Sequence, residues 1–363
     1  MTVRISMKVL HISRTMGQGG AEKIVYQLCR DNSAQEQIVV SCGGVYADKL
    51  EQDGIKQYKI PDLDNKNPFV MLKCLALIFT IVRREKIDVI HSHHRMAAFY
   101  ARIVAMFLGT ARVYTAHNVF FNKIRLLQFA LKGSSIVAVG DGVKRNLIDT
   151  YAIDPEQIRT IKNTIRNTRS KQYNPLLIQL REQGKILIGS IGRLSRQKGM
   201  DVFVKAFGML RQQHPEKDLV AVIVGEGEDH AELESLTKML GLENSVLFLG
   251  FQENVLDIIT QLDLVVLASR WEGLPLTPIE VFSQKRTMVC TDISGNNEIV
   301  KDGVNGILVP VDAPESLSEG MFKIIENPTL KQTLENNAYK TFSSEYNYDD
   351  FISSYNEVYE LCK

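Results

Sequence analysis

The sequence predicts an α/β protein of two doubly wound parallel-sheet domains facing each other across a cleft, and three observations carry that prediction. Apolar runs of strand length alternate with stretches of helical period along most of the chain, the βα rhythm that a parallel sheet with covering helices produces. The rhythm fades once, across 163–184, a stretch rich in Asn, Arg and Gln, and then restarts. At 363 residues the chain has room for two domains of the usual ~100 to 200 residues, each with its own core.

Composition removes the other broad classes. Hydrophobic residues make up 45% and charged residues 23%, with 24 Gly and 10 Pro, which excludes collagenous, low-complexity and disordered chains. Five cysteines (Cys29, Cys42, Cys74, Cys290, Cys362) are an odd number without a CxxC pair, against both a secreted disulfide framework and a structural zinc site. Met1 to Ser13 lacks the apolar core and cleavage site of a signal peptide, and Met7 is a second candidate start. The most apolar stretch, Phe69–Val82, is 14 residues long with Lys73 inside it, whereas a bilayer span takes about 20 apolar residues. A cytoplasmic protein that crosses no membrane is expected.

In the first half, strands are expected at Val9–Ile12, Ile38–Val40, Val89–Ile90, Arg112–Thr115 and Ile136–Val139, with helices over Ala21–Arg30 and Val143–Tyr151. Doubly wound sheets bind ligands beyond the carboxyl ends of their strands, so the loops after strands are where chemistry belongs. Gly17-Gln18-Gly19-Gly20-Ala21-Glu22 fills the first of them. Glycines there let the backbone approach a phosphate, and the helix start supplies N–H groups and a positive dipole end; a tight strand-to-helix turn accounts for them as well. As a dinucleotide fingerprint the segment is defective. Glu22 stands where the third glycine belongs, and the second strand ends in Cys42-Gly43-Gly44 instead of an acidic residue, so a nicotinamide cofactor is disfavoured.

His91, His93 and His94 cluster after a strand with no Cys or carboxylate beside them at metal-ligand spacing, and they are read as site-edge or structural residues; no metal is expected. His117 ends the strand Arg112–Thr115 and stands where it can touch a ligand.

Charge is distributed unevenly. Up to Tyr173 there are 26 Lys+Arg against 14 Asp+Glu, and beyond it 17 against 28, so a +12 part is joined to a −11 part. The basic part is suited to an anionic partner, either a membrane surface or a phosphorylated substrate; nucleic acid is not expected, because its recognition motifs are absent. Between Asp88 and Asp141 there is no acidic residue, while Arg95, Arg102, Arg112, Lys123, Arg125 and Lys132 lie among apolar residues. Basic amphipathic helices of this kind can lie on an anionic bilayer, and helices packed on the sheet with solvated cations fit the pattern equally.

The second half restarts with the strand Ile186–Ile191 and continues with strands at Leu219–Val224, Val246–Leu249, Leu264–Ala268, Met288–Thr291 and Ile307–Val309. After the first of these comes Gly192-Arg193-Leu194-Ser195-Arg196-Gln197-Lys198-Gly199, leading into a helix that starts near Asp201. Three cations at a helix start inside an acidic domain read as a diphosphate clamp. The segment Arg270 to Glu280 follows the strand Leu264–Ala268, with Thr277 as the expected helix N-cap, Pro278 at the first helical position and Glu280 closing a capping box. Glu272 has no such structural reason. It stands among the backbone N–H groups of Gly273, Leu274, Leu276 and Thr277, to which Pro275 adds none. At the C-terminus, Tyr348, Phe351, Tyr355 and Tyr359 recur on one helical face, suited to packing on the body.

With these residues assembled, the chain resembles the retaining nucleotide-sugar glycosyltransferases of family 4, which have the GT-B fold of two Rossmann-like domains. The resemblance runs over nearly the whole chain through Gly19-Gly20-Ala21-Glu22, Asp88 to His93, Gly192-Arg193-Leu194, Lys198-Gly199, Val224 to Gly227, Glu272 with Glu280, and Asp302 to Gly306, in family order and at family spacing. It implies an acceptor-binding domain over 1–170, a donor-binding domain over 171–345, and a helix over 346–363 crossing back to the first domain. It implies that Arg193 and Lys198 hold the donor diphosphate in the role other transferases give to a metal, with Gly19 and Gly20 approaching from the other domain. Glu280 would bind the ribose, Glu272 and the amides of Gly273, Leu274, Leu276 and Thr277 the donor sugar, and His117 the sugar from the acceptor side. Glu272, His117, Arg193 and Lys198 form the implied catalytic set.

The activity so implied is retaining hexosyl transfer from a nucleotide diphosphate sugar, UDP in particular, to a hydroxyl of a lipid-linked glycan in bacterial surface polysaccharide or glycoconjugate synthesis. No cofactor or metal is required, and the basic domain would rest peripherally on the inner face of the plasma membrane. Three rivals stand beside it: a same-fold nucleotide-sugar epimerase or hydrolase, a non-catalytic partner subunit of another transferase, and, last, a nicotinamide oxidoreductase. Two details bear on the match. Ile161-Lys162-Asn163-Thr164-Ile165-Arg166 departs from the Pro-Asn-Gly-Ile/Val-Asp that the family often has there, and Asp62-Leu63-Asp64, though it matches the DxD that holds a divalent ion in some sugar transferases, is read as a loop. Donor sugar, acceptor, linkage and oligomeric state are left open.

Overall fold

The structure is a computed structural model describing residues 7–362; Met1, and with it the choice between Met1 and Met7 as the start, lies outside the described residues. The chain forms two compact units, one running up to Asn163 and taking in Tyr348 onward, the other Thr164–Asn347.

Among the described residues the first unit holds seven strands: β1 (Lys8–Ile12), β2 (Glu36–Ser41), β3 (Lys56–Lys59), β4 (Val89–Ser92), β5 (Ala111–Ala116), β6 (Ser135–Ala138) and β7 (Ile158–Thr160). They pair in parallel in the order β3-β2-β1-β4-β5-β6-β7. The order reverses between β1 and β4, which places the ligand crevice of this sheet beyond the ends of those two strands. The core forms where Leu10, Ile12, Ile38 and Ile90 of the strands meet Cys74, Ile78, Tyr100 and Val104 of the covering helices Pro68–Glu85 and Arg95–Leu108.

The second unit holds β8 (Ile186–Ile191), β9 (Leu219–Val224), β10 (Val246–Phe248), β11 (Leu264–Leu267), β12 (Met288–Thr291) and β13 (Ile307–Val309), parallel in the order β10-β9-β8-β11-β12-β13. Its reversal falls between β8 and β11. Every residue of β9, Leu219 to Val224, is buried, because helices cover both faces of a doubly wound sheet and a central strand has no solvent side. Phe203, Phe207 and Leu210 of the helix Met200–Gln213 pack on Ile188, Ala221 and Val266.

Every strand foreseen from the sequence is present, four with the foreseen ends and the others with ends slightly shifted. β3 and β7, the two edges of the first sheet, were not foreseen, and the helix Pro175–Glu182, capped by Asn174, sits inside the stretch where the rhythm fades.

The last helix, Tyr348–Glu360, belongs to the first unit, burying Phe351, Tyr355 and Tyr359. The Tyr359 hydroxyl lies 2.8 Å from His91 Nδ1, the Tyr355 hydroxyl lies 3.3 Å from Thr115 Oγ1, and Tyr348 donates to Asp31 at 2.6 Å. This helix carries Asp349, Asp350, Glu357 and Glu360 into the basic part. Counted by unit, the charges are 24 Lys+Arg against 18 Asp+Glu in the first and 19 against 24 in the second, a smaller asymmetry than the linear split gives.

Candidate functional site

In the second unit the candidate residues gather at the carboxyl edge around the β8–β11 reversal. After β8, Gly192 and Arg193 lead through Leu194 and Ser195 into a short 3-10 turn, Arg196–Lys198, and Gly199 starts the helix Met200–Gln213. Gly199 sits at φ 62, and a Cβ there would stand 2.1 Å from the carbonyl oxygen of Ala268, so this residue lets the helix start press against the end of β11. The loop after β11 is fastened to the same turn. Arg270 donates its backbone N–H to Gln197 O at 2.8 Å and its guanidinium to Arg196 O, to both carboxylate oxygens of Asp201 and to Asp312.

This fastening brings Lys198 and Glu272 together. Lys198 Nζ donates to Glu272 Oε1 at 2.6 Å, and Ser269 Oγ donates to the same oxygen at 2.7 Å. Gln197 Nε2 reaches Glu272 Oε2 at 3.3 Å. The Glu272 side chain is only 7% exposed and that of Lys198 18%, so the pair is shielded from water, where charge-assisted bonds are strongest. A carboxylate has about four acceptor sites and an ammonium three protons, so each retains capacity for a ligand.

Gly273, Leu274, Leu276, Thr277 and Glu280 continue this element and are all buried. The capping box expected here does not form. The helix starts earlier, over Leu276–Ser283, with Pro275 at its N-cap position, because Pro275 already has the extended backbone of a cap. Thr277 is thus a first-turn residue, and its hydroxyl turns to Ile191 O at 3.5 Å. The correction removes the capping role given to Glu280. It also leaves the amides of Leu276 and Thr277 in a first turn, where no intrahelical acceptor exists and an anion is favoured.

Arg193 is not drawn into this group. It is 68% exposed and pairs outward with Glu228 at 2.9 Å. Sequence reasoning missed Ser269, Gln197 and Arg270 as members of the site and Glu228 as the partner of Arg193. Ser269 and Arg270 are the polar residues closing a wholly apolar strand, a signal that was available.

In the first unit, Gly19 caps the helix Gly20–Asp31 after β1, His93 follows β4 and His117 follows β5, so the three stand at neighbouring strand ends beside the β1–β4 reversal. Glu22 folds back over Gly19, and its carboxylate accepts from Thr15 Oγ1 at 2.9 Å.

The histidines form a buried group that the sequence did not reveal. His11 Nε2 lies 2.8 Å from Gln37 Oε1, His11 Nδ1 lies 2.9 Å from His93 Nε2, and His93 Nδ1 lies 3.1 Å from His117 Nε2. His91 stands beside them, with its Nε2 2.7 Å from Thr115 Oγ1. Burial pushes the pKa values of His11 and His117 down to about 4, and those of His91 and His93 well below the ordinary value. Nitrogens of His11, His91 and His93 lie within 4.8 Å of one another, a spacing a metal could use. His94 caps the helix Arg95–Leu108.

Two surface expectations resolve differently. Arg14 pairs with both Asp62, at 2.8 Å, and Asp64, at 3.3 Å, and its hydrogen bonds hold Asp62 down to about 2. Of the expected basic face, Arg112 is buried instead, donating to Ala130 O and Lys132 O, because β5 runs through the interior and the guanidinium must satisfy carbonyls there. Lys123, Arg125 and Lys132 are exposed, and Arg95 lies over the Phe120 ring at 3.8 Å.

Comparison with known proteins completes the description. Residues 178–341 match the family described as Glycosyl transferases group 1, and residues 18–169 match Glycosyltransferase Family 4. The chain is 24% identical over 349 residues to the UDP-Gal:alpha-D-GlcNAc-diphosphoundecaprenol alpha-1,3-galactosyltransferase of Escherichia coli, covering 89% of each chain. It is 28% identical over 348 residues to the N-acetylgalactosamine-N,N'-diacetylbacillosaminyl-diphospho-undecaprenol 4-alpha-N-acetylgalactosaminyltransferase of Campylobacter jejuni, covering 89% of this chain and 92% of that one. Among solved structures, Anabaena HepE in complex with UDP-glucose superposes with a TM-score of 0.87 at 22% identity over 98% of this chain and 100% of that one, which shows a common fold. Two doubly wound units, each with candidate residues at its carboxyl edge, and family matches that together span most of the sequence lead to one conclusion: the chain is a glycosyltransferase of family 4 with the GT-B fold.

Proposed function

We propose that the protein transfers a hexose from a UDP-sugar to a hydroxyl of a lipid-linked glycan, with retention of anomeric configuration and without a metal. The observation that carries this reading is the shielded pair of Lys198 and Glu272, one residue suited to phosphate and the other to sugar hydroxyls, held in contact at the β8–β11 reversal. The relatives support the chemistry: the galactosyltransferase is named for a UDP-Gal donor and a diphosphoundecaprenol acceptor, and HepE was solved with UDP-glucose.

Lys198, with protons to spare beside Glu272, binds the diphosphate, and Arg193 exchanges its exposed pairing with Glu228 for a phosphate oxygen. Exposed ion pairs are worth only about 0–1 kcal/mol, so that exchange costs little. The amides of Leu276 and Thr277 and the helix behind them stabilise the charge that builds on the leaving phosphate. Glu272 accepts from donor-sugar hydroxyls, and Glu280 from the ribose. The acceptor oxygen forms its bond to the anomeric carbon on the face from which the phosphate oxygen departs, and the acceptor proton passes to the leaving diphosphate. No enzyme nucleophile is consumed. Lys66, Lys73, Lys123 and Arg125, with exposed Phe69, Leu72, Phe121 and Ile124, stand on loops and helix starts at the carboxyl edge of the first sheet, suited to a peripheral hold on an anionic membrane on the cytoplasmic side.

The test is calorimetric titration with UDP, GDP, ADP and NAD in EDTA, repeated on Arg193→Ala and Lys198→Ala. UDP should bind without metal, and each substitution should weaken it roughly 10- to 100-fold, the worth of one hydrogen bond to a charged group. Absence of nucleotide binding, indifference to both substitutions, or a changed sugar without a transfer product would overturn the reading.

A further inference from the structure

The two cations proposed to hold the diphosphate are each paired with a carboxylate, Lys198 with Glu272 and Arg193 with Glu228, and the two pairs differ in kind. The first is shielded and joined by Ser269. The second stands in solvent, with Arg193 Nε at 3.0 Å and Nη2 at 2.9 Å from one oxygen, Glu228 Oε2. The backbone fixes Glu228 in that place. Gly192 donates its N–H to Val224 O at 2.9 Å, Leu194 donates to Glu226 O at 3.0 Å, and Asp229 donates back to Leu194 O at 3.1 Å, so the loop after β9 is laced to the loop after β8. This approach needs glycine twice. A Cβ on Gly225, at φ 137, would stand 2.0 Å from Gly192 O, and one on Gly227 would stand 2.1 Å from Leu194 O. Glu228 follows directly. A bond from its own backbone N–H, and then Arg193, hold its carboxyl below the ordinary range, so it is ionised at neutral pH. Glu226, two residues earlier, is turned to His230 at 3.0 Å instead.

A sugar nucleotide and the nucleotide it leaves behind differ in charge at the terminal phosphate. While the sugar is attached, that phosphate carries one negative charge. Once the sugar has gone, the phosphate has a further ionisable oxygen and carries about −1.5 to −2 at neutral pH. Two cations by themselves would therefore hold the product more tightly than the substrate. We infer that Glu228 opposes this: it competes with the diphosphate for Arg193 and repels the charge gained on transfer, so it weakens UDP binding more than UDP-sugar binding and speeds release of the product. The diphosphate in this statement rests on the proposed function; the place of the carboxylate beside Arg193 rests on the distances alone. Both side chains are more than half exposed, at 68% and 56%, so the effect is a modest factor that salt screens.

The experiment is calorimetric titration of the full chain, in EDTA at low salt and without acceptor, with UDP, UDP-glucose, UDP-galactose and their N-acetylamino forms. Glu228→Gln keeps the size of the side chain and removes its charge. UDP affinity should rise about two- to fivefold, within the range of an exposed ion pair, and the affinity for a bound UDP-sugar should rise by a smaller factor. The gain for UDP should appear as slower dissociation in stopped-flow displacement. Glu234→Gln removes an equal charge from the helix His230–Met239 and should change neither affinity. In an Arg193→Ala background Glu228 has nothing to compete for, so Glu228→Gln should raise UDP affinity markedly less than in the native protein.

Weaker UDP binding in Glu228→Gln would make Glu228 a prop for Arg193 and overturn the competition. Unchanged UDP affinity overturns it too, as does an equal gain for UDP and UDP-sugar, in Glu234→Gln, or in the Arg193→Ala background. The two readings fail in different ways. If UDP does not bind, if no UDP-sugar binds where UDP does, or if Arg193→Ala leaves UDP affinity unchanged, the proposed function fails and takes the role of Glu228 with it. If Arg193→Ala weakens UDP binding while Glu228→Gln brings no gain, the role of Glu228 fails alone.

Discussion

Lys198 Nζ and Glu272 Oε1 stand 2.6 Å apart, joining the loop after β8 to the loop after β11 through one shielded charge pair. In the proposed function the pair divides the two halves of a sugar nucleotide between two residues, and the division can be measured. Glu272→Gln keeps the shape and the contact to Ser269 but removes the charge. Calorimetry should show UDP binding retained or tightened, because Lys198 then has no competing carboxylate, while turnover of the UDP-sugar falls by at least about tenfold, one charge-assisted hydrogen bond's worth. Lys198→Ala should do the opposite in the binding assay and lose UDP. Equal loss of UDP affinity in both would show that the pair acts only as a structural brace.

Gly199 carries a second prediction, with Gly241 as its control. Both have left-handed backbones, at φ 62 and φ 65, but a Cβ at 199 would stand 2.1 Å from Ala268 O whereas one at 241 meets nothing within 4 Å. Gly241→Ala should cost about 1 to 2 kcal/mol, the conformational penalty alone. Gly199→Ala adds a backbone collision that only a shift of the helix start can relieve, so its urea midpoint should fall clearly further and UDP binding should weaken with it. Matching stability losses in the two variants would show that the close approach at 199 contributes nothing.

The buried histidines set a pH dependence whose sign follows from their lowered pKa values. His11 has a folded pKa of about 4 because burial disfavours its charged form, whereas the unfolded chain titrates near 6.5. Above about 6.5 both states are neutral; as pH falls from there toward 4, the unfolded chain takes up a proton that the folded one refuses. Stability is thus full above the unfolded value and is lost on acidification, by at most about 1.4 kcal/mol per pH unit for each histidine. His91, His93 and His117 act in the same direction. His230, raised by its hydrogen bond to Glu226, opposes them weakly from the surface. Urea midpoints measured between about pH 7 and 5 should therefore fall steadily, before the carboxylates protonate. A flat profile over that range would mean that the cluster is wet or charged in the folded protein.

What the sequence made legible was set by repetition. Long apolar strands such as Leu219–Val224 announce themselves because they have no solvent side, and each loop after a strand is thereby located together with Arg193, Lys198 and Glu272. Edges were not legible: β3 reads Lys56-Gln57-Tyr58-Lys59, polar enough to pass for loop, and β7 is only three residues long. The helix start at Leu276 was misplaced because Thr277-Pro278 has a strong local capping signal, yet the extended backbone at Pro275 prevails. The histidine group was invisible for another reason. His11, Gln37, His93 and His117 lie on four different strands or strand ends, and only the order β2-β1-β4-β5 makes them neighbours. Arg112 opened an expected strand and was also counted among the cations of a basic surface; the strand is what holds, and it buries the side chain.

The last prediction concerns the membrane. Phe69 is 82% exposed at the head of the helix Pro68–Glu85, and Phe121 is 74% exposed just before the helix Ile124–Leu131. Both follow strands of the first sheet, so both stand at its carboxyl edge, and exposed Lys66, Lys73, Lys123 and Arg125 flank them in sequence. Aromatic side chains left in water cost free energy that burial at a bilayer interface recovers, and each nearby cation adds about 1 kcal/mol on an anionic surface. Neither attraction alone holds a protein firmly. No helix among the described residues is long and apolar enough to cross a membrane. The protein should sediment with vesicles containing anionic lipid and not with neutral ones, and salt well above physiological strength should release it. Phe121→Asp, and separately Phe69→Asp, should lower the vesicle affinity at least about tenfold by removing a buried ring and adding a repelled charge. Both variants should keep UDP binding, since the residues proposed to hold the donor belong to the other unit. Binding to neutral and anionic vesicles alike, or indifference to both substitutions, would place the membrane contact elsewhere on the molecule.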